Sequence, residues 1–380
     1  MLYGMNKFVL REIFDSDIET ELLSIGFDVS YKNFAKYKYE YKNIKIYSVN
    51  SAQANIIKQT ALSSGADCAT HRDVITGRAE VSDCILGGSV SEISKIADKL
   101  MYQPFQLNVL AEQLKQIINK DLHATPKVVG ILNLTNDSFS GDGVDDDIKK
   151  AKEKLDKLIS DGADIVDIGA ESTKPYSNPV SDLDQLKRLL PVLDYAKTRI
   201  PISIDTRSAA VAEECLKNGA NIINDVSGFD YDKKMLDIIA KYNSTVIIQH
   251  SKGTPQNMQD SPCYDDLIEE IFLSLTEKCV LAESCGVNNI IVDPGIGFGK
   301  SRENNFEIIR RIQEFKSIGY PVMLGISRKS FLNMKDNEER DIYTTALNTL
   351  AIERNVDYLR VHNVKMHKTL IDLMKMFVIK

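Results

Sequence analysis

The sequence predicts an α/β protein in which a (β/α)8 barrel follows a smaller N-terminal α/β or α+β domain. Three observations lead there. The 380 residues exceed what one barrel of about 250 residues needs, so a companion domain is expected. From residue 127 onward, short β-branched runs alternate eight times with amphipathic helical stretches. Nearly every one of those runs ends in a polar residue or opens into a polar loop. The domains are placed at 1–120 and 127–380, because Asp121, His123 and Pro126 interrupt the helical pattern between them.

The eight expected strands are 128–133 (VVGILN), 164–169 (DIVDIG), 201–205 (PISID), 221–225 (NIIND), 245–250 (TVIIQH), 289–294 (NIIVDP), 321–327 (PVMLGIS) and 357–362 (DYLRVH). All are rich in Ile, Val and Leu with little alternation, as strands covered on both faces should be. Helical patterns between them include 184–197, 266–285 and 305–318. An open doubly wound sheet would show the same alternation, and the count of eight favours closure. Ahead of the barrel, helices are expected near 18–25, 52–63, 93–101 and 107–118. Tyr31, Tyr37, Tyr39, Tyr41 and Tyr47, interleaved with lysines, suggest a hairpin with a solvated lysine face rather than a nucleic-acid stacking surface.

Composition limits the classes of function. Hydrophobic residues make up 43% and charged residues 27%, ordinary for a soluble globular chain, and no apolar run reaches the roughly 20 residues of a membrane span. Residues 1–14 carry Lys7, Arg11 and Glu12 and lack a secretory core, so a cytoplasmic location is expected. The six cysteines are scattered without CxxC spacing, which argues against a zinc site. A net charge of −7 gives no general attraction for nucleic acid, while a locally basic pocket remains open to an anionic small molecule.

The polar strand ends are Asn133, Asp167, Asp205, Asn224 with Asp225, His250, Asp293, Ser327 with Lys329, and Arg360 with His362. In a barrel these gather at the C-terminal rim, where active sites form. Asp205, Asn224 and Asp293 offer the acceptors and donors that a flat heterocycle such as a pterin needs. Asn133, Arg360 and His362, with Ser172 and Thr173 in a neighbouring loop, offer donors for phosphate oxygens, and the Asn133 oxygen could instead serve Mg2+. Lys329 would touch the pterin while its stem helps enclose a second substrate. Individual members such as Asp167 and Asp225 could simply hold loops. The run DPGIGFGKS at 293–301 imitates a phosphate-binding loop, but only three residues separate Gly295 from Gly299, so a tight loop that lets backbone approach a ligand is the better reading.

At these same residues the chain resembles the dihydropteroate synthase family. The motifs are GILNLTNDSFS (130–140), DIGAESTKP (167–175), SIDT (203–206), INDVSG (223–228), DPGIGFGK (293–300), GISRKS (325–330) and RVHNV (360–364). The resemblance implies a barrel, usually dimeric, that uses magnesium to join p-aminobenzoate to 6-hydroxymethyl-7,8-dihydropterin diphosphate, and that is the target of sulfonamides. It implies pterin contacts from Asp205, Asn224, Asp293, Lys329 and Arg360, and an anion and magnesium end at Asn133, Arg360 and His362, with Lys174 also toward pyrophosphate. For p-aminobenzoate it implies Phe139, Thr173, Pro175, Phe298, Ser327 and the Lys329 stem, and it makes Lys329, Arg360, His362 and Asp205 the catalytic set. The chain departs from the family at Asn136 (usually Pro), Gly141–Asp142–Gly143 (Asp-Gly-Gly), Lys174 (Arg) and Asn363 (Asp). Two rivals remain: a pterin-dependent methyltransferase barrel, and a pterin-binding protein without catalysis.

Overall fold

The computed structural model describes residues 10–13, 18–119, 125–134, 144–171, 179–253 and 262–377. The chain divides into two compact units, Met1–Lys120 and Asp121–Lys380.

The first unit carries an antiparallel sheet of β1 (Tyr41–Asn50), β2 (Asp67–Thr70) and β3 (Val81–Ser89), in the order β1-β3-β2. The helices Ser51–Leu62, Val90–Leu100 and Leu107–Ile118 bury Ile57, Ile93, Ile96 and Leu114 with Cys84 and Leu86 of β3 in one core. Two helix starts are fixed by reciprocal capping boxes, Asn50 with Gln53 and Ser89 with Glu92. The expected lysine-faced hairpin is not there. Tyr31 closes a short 3-10 helix, Tyr37 follows the helix Lys32–Lys36, and only residues from Tyr41 onward are strand. That strand pairs with β3, some forty residues away, so its partner was not local.

The second unit is a sheet of eight parallel strands: β4 (Lys127–Asn133), β5 (Ile165–Gly169), β6 (Ile202–Asp205), β7 (Ile222–Asp225), β8 (Thr245–Gln249), β9 (Ile290–Asp293), β10 (Met323–Leu324) and β11 (Tyr358–Val361). They lie in the order β10-β11-β4-β5-β6-β7-β8-β9. The parallel bridge Val292–Val322 joins the two edges and closes the barrel. All eight expected strands are present, but the seventh shrinks to two residues. Pro321 removes one ladder donor, and the Val322 amide donates to the Asp357 carboxylate at 2.6 Å instead of to a strand.

Alternation along each strand sorts the side chains, since residues i and i+2 share a face. The outer face (Val128, Val166, Ile204, Ile223, Ile248, Val292 and Leu359 among others) packs against the surrounding helices in the main core. The inner face begins with a separate apolar cluster of Val129, Ile165, Ile222, Ile247, Ile291 and Met323, with Tyr358 against it. Two residues farther along those same strands stand Ile131, Asp167, Asn224, Gln249, Asp293, Gly325 and Arg360. The apolar layer is therefore a floor, and the polar residues form the layer directly above it.

Candidate active site

Arg360 organises this polar layer. Its Nε donates to Asp167 Oδ2 at 2.7 Å, and its Nη2 lies 2.6 Å from Asp167 Oδ2 and 2.7 Å from Asp205 Oδ2. Asn224 Nδ2 donates to the same Asp167 oxygen at 3.2 Å. Asp205 and Asn224 are register partners on β6 and β7, so their side chains stand together. Asp167 is fully buried, and the sequence-level option that it holds a loop is replaced by a bridge to Arg360. Asp225 does hold its loop, accepting from the Ser227 amide at 2.9 Å, the Ser227 hydroxyl at 2.7 Å and the Phe229 amide at 2.9 Å.

Three buried polar atoms here make no hydrogen bond among the described residues: Asp167 Oδ1, Asn224 Oδ1 and Ser203 Oγ. An unpaired buried acceptor costs about 1–3 kcal/mol, so two carboxyl or amide oxygens in one layer mark a place prepared for a donor-bearing ligand. Charge is unbalanced as well. Burial pushes the Asp205 carboxyl up to about 7 against the pull of Arg360, and the Asp167 charge adds to that push. Burial also works against the charge on Arg360, but Asp167 and Asp205 outweigh it and hold the guanidinium above its ordinary range.

Across the layer, Asp293 Oδ1 accepts from the Gly295 amide at 2.7 Å. Burial raises its carboxyl, opposed by the nearby Lys329 ammonium. Burial lowers Lys329 to about 8, and Asp293 works in the other direction. The Lys329 ammonium donates to the Ile296 carbonyl and sits 4.6 Å from the Phe298 ring centroid, which brings together two of the positions that the resemblance gives to p-aminobenzoate. Ser327 Oγ accepts from the His362 amide at 3.2 Å and lies 2.9 Å from His362 Nδ1. The hydroxyl donates to Nδ1 or accepts from it according to the ring's tautomer. Burial, with Arg328 and Arg360 nearby, lowers His362 to about 3, so the ring is neutral and keeps a single N–H. Asn133 ends β4 with its side chain exposed. Phe139, Thr173, Pro175 and Lys174, with Ser172, lie outside the described residues.

The glycine run after β9 is a tight loop as expected, but the close approach its glycines permit is to the protein's own backbone and not to a ligand. Gly295 has φ +71°, and a Cβ there would stand 1.8 Å from the His250 carbonyl oxygen. At Gly297 a Cβ would meet the Lys329 stem at 3.2 Å. Lys300, which completes the imitation of a phosphate loop, is 2% exposed and turned to the protein's own polar groups. Its ammonium lies 3.0 Å from His250 Nδ1 and donates to the Phe298 carbonyl at 3.0 Å. Asn305 fixes the turn from beneath, accepting from the Gly297 amide at 2.7 Å. Neither Lys300 nor Asn305 was assigned a structural role from sequence. A lysine directly after a glycine turn, with no exposed helix face to occupy, was the available signal.

This geometry agrees with what the chain is similar to. The model of the family described as "Pterin binding enzyme" matches residues 129–362. A dihydropteroate synthase of Clostridium beijerinckii is 41% identical over 245 residues, 62% of this chain and 88% of that protein. A Helicobacter pylori protein named bifunctional dihydropteroate synthase/dihydropteroate reductase is 34% identical over 330 residues, 85% of this chain and 86% of its own length. A probable bifunctional folylpolyglutamate synthase/dihydropteroate synthase of Halobacterium salinarum is 35% identical over 333 residues, 83% of this chain, and the chain spans only 40% of that relative. Among solved structures, a Clostridium difficile dihydropteroate synthase crystallised with pteroic acid superposes with TM-score 0.64 at 38% identity, covering 69% of this chain and 100% of its own. A Yersinia pestis dihydropteroate synthase with a sulfonamide drug complex gives 0.63 at 34% identity, covering 68% and 95%. The family match, the relatives and the polar layer above the barrel floor agree: this chain belongs to the pterin-binding enzyme family, with the dihydropteroate synthases.

Proposed function

We propose that the barrel joins p-aminobenzoate to 6-hydroxymethyl-7,8-dihydropterin diphosphate, releasing pyrophosphate and giving 7,8-dihydropteroate. The observation that carries this reading is the polar layer itself, in which acceptors for a heterocycle and donors for an anion stand side by side. Asp293, the open Asn224 oxygen and the Asp167–Asp205 pair would accept from the pterin's amino and ring N–H groups. Arg360 uses Nε and Nη2 internally, and its Nη1 makes no hydrogen bond among the described residues.

The amine of p-aminobenzoate is neutral at physiological pH, so its attack on the pterin methylene needs no strong base. A new N–C bond forms there as the C–O bond to diphosphate breaks, and the amine loses one proton. The residues' task is to hold the amine in line and stabilise the departing anion. Lys329, over Phe298, would lie between the two substrates. Arg360 supplies charge, while the neutral His362 ring adds no second cation. No cluster of three or more His, Cys, Asp or Glu suited to a metal occurs among the described residues. A magnesium ion carried on the diphosphate would therefore take few protein ligands, with the Asn133 oxygen as one, and would neutralise the leaving group. Lys174, Thr173, Pro175 and Phe139 are assigned to the same two substrates by resemblance.

No helix among the described residues is long and apolar enough to cross a membrane, and we place the enzyme in the cytoplasm. A homodimer is supported by the exposed Ile342, Tyr343, Leu350, Leu373 and Phe377 on the helices Asn337–Glu353 and Val364–Phe377, and sedimentation equilibrium tests it. Inhibition by sulfonamides is expected to be competitive with p-aminobenzoate. The likeness to the Helicobacter protein covers far more than the barrel, so reduction of dihydropteroate is a second activity to assay. The test of the main reading is incorporation of labelled p-aminobenzoate into a pterin product. Methyl transfer from a folate would instead favour the methyltransferase alternative, and tight pterin binding with no product would favour an inactive binder.

A further inference from the structure

The turn that carries Lys329 is held from outside the polar layer. Arg328 stands between Ser327 and Lys329 with φ +58°, a left-handed conformation that a bulky residue keeps only when its surroundings impose it. Its guanidinium meets Asp341 through two parallel bonds, Nε to Oδ1 at 2.8 Å and Nη2 to Oδ2 at 2.8 Å. Asp341 is buried near the start of the helix Asn337–Glu353. Its Oδ2 also lies 3.4 Å from Asn363 Nδ2. Asn363 directly follows His362, and its Oδ1 accepts from the Met366 amide at 3.2 Å, which caps the helix Val364–Phe377. One carboxylate is thus shared by the segment bearing Ser327 and Lys329 and the segment bearing Arg360 and His362.

The chemistry at 363 follows from that sharing. Aspartate caps a helix as well as asparagine does, but it has no proton to give Asp341 and would place a second negative charge within hydrogen-bond distance. Asparagine does both jobs, accepting from the helix and donating to the carboxylate. The departure from the family at 363 therefore has a partner at 341.

We infer that Asp341 is a positioning residue: it anchors the left-handed turn at Arg328 and, through Asn363, sets Lys329 and His362 in one arrangement. Asp341 and Asn363 form a single carboxylate–amide unit, with the carboxylate facing Arg328. The kinetic half of this inference rests on the synthase reading. The experiment compares Asp341→Asn, Asn363→Asp and the double exchange in the full chain, by thermal melting and by steady-state turnover of dihydropterin diphosphate with p-aminobenzoate. Each single variant should lower the melting midpoint and reduce kcat at least tenfold, because small displacements of aligned groups are costly to rate. The exchanged pair removes the carboxylate–carboxylate contact that Asn363→Asp alone creates but leaves Arg328 one acceptor at 341, so it should recover part of the midpoint and of kcat, with losses smaller than those of the two singles combined. Singles that turn over like the parent, or losses in the double variant equal to those of the singles combined, would overturn the inference. A parent chain without turnover would sink the synthase reading and with it the kinetic role. The melting cycle would still decide the clamp, with recovery in the double variant supporting it and additive losses refuting it.

Discussion

Replacing Arg360 by methionine removes the one cation shared by two buried carboxylates. In the parent, three close contacts of 2.6–2.7 Å tie it to Asp167 and Asp205, and Asp167 has no exposure through which water could replace the guanidinium. Breaking a buried ion pair from one side costs about 3–5 kcal/mol, because the surviving charge is left uncompensated. The Arg360 side chain is 17% exposed, so the lower end, about 3 kcal/mol, is the expected loss. For a barrel of this size that is a fall of roughly 6–12 °C in melting midpoint. Asp205 is already pushed up to about 7 with Arg360 present, and without it the carboxyl holds its proton more strongly. A folded pKa above the unfolded value contributes stability below the unfolded pKa that disappears as pH rises through the folded pKa. The deficit should therefore widen from pH 6 to pH 8, and Asp205→Asn in the Arg360→Met background should recover part of it. Melting curves of the three variants at both pH values test this. An Arg360→Met midpoint equal to the parent's, or a deficit that narrows with rising pH, would refute the reasoning.

Other expectations follow from the same geometry. kcat/KM should fall as pH rises through about 8, where Lys329 loses its proton, and Lys329→Arg should move that limb upward; an unmoved limb assigns it elsewhere. Gly295→Ala should cost at least about 3 kcal/mol, since it combines a positive φ with a 1.8 Å overlap on the His250 carbonyl oxygen. Gly286→Ala, at φ +84° with open space, should cost only about 1–2 kcal/mol, so equal chemical-denaturation losses would contradict the role given to the turn. Lys174→Arg should change pyrophosphate product inhibition by less than about tenfold, whereas Lys174→Ala should weaken turnover more; an alanine variant like the parent would remove Lys174 from anion binding.

The barrel was legible because its strands are local signals. Each run of Ile and Val between helical patterns became a strand, and Asp167, Asp205, Asn224, Asp293 and Arg360 reached the polar layer above the floor, whereas Asp225 turned to its own loop and His250 to Lys300. What sequence left open was which polar residues pair with each other. Asp167 and Asp205 read as equivalent acidic strand ends, yet their shared bond to Arg360 depends on side chains separated by 193 and 155 positions. Asp341 carried no motif, and its bond to Arg328 spans 13 positions with no periodic signal to mark it. In the N-terminal unit four helices were legible from periodicity, including 107–118 to the residue, whereas the short helix Lys32–Lys36 was read as hairpin. Its strands were not, because β1 finds β3 across an intervening helix and β2, and no short-range pattern encodes that pairing.

The polar layer should drive departure of pyrophosphate only when the aromatic amine is in place. Purified full-length chain, supplied with dihydropterin diphosphate and magnesium, should release pyrophosphate at a rate that rises saturably with p-aminobenzoate, and Asp293→Asn should lower kcat/KM by about 2–4 kcal/mol in activation terms. Binding of the pterin without any p-aminobenzoate-dependent release, at every magnesium concentration, would contradict the account.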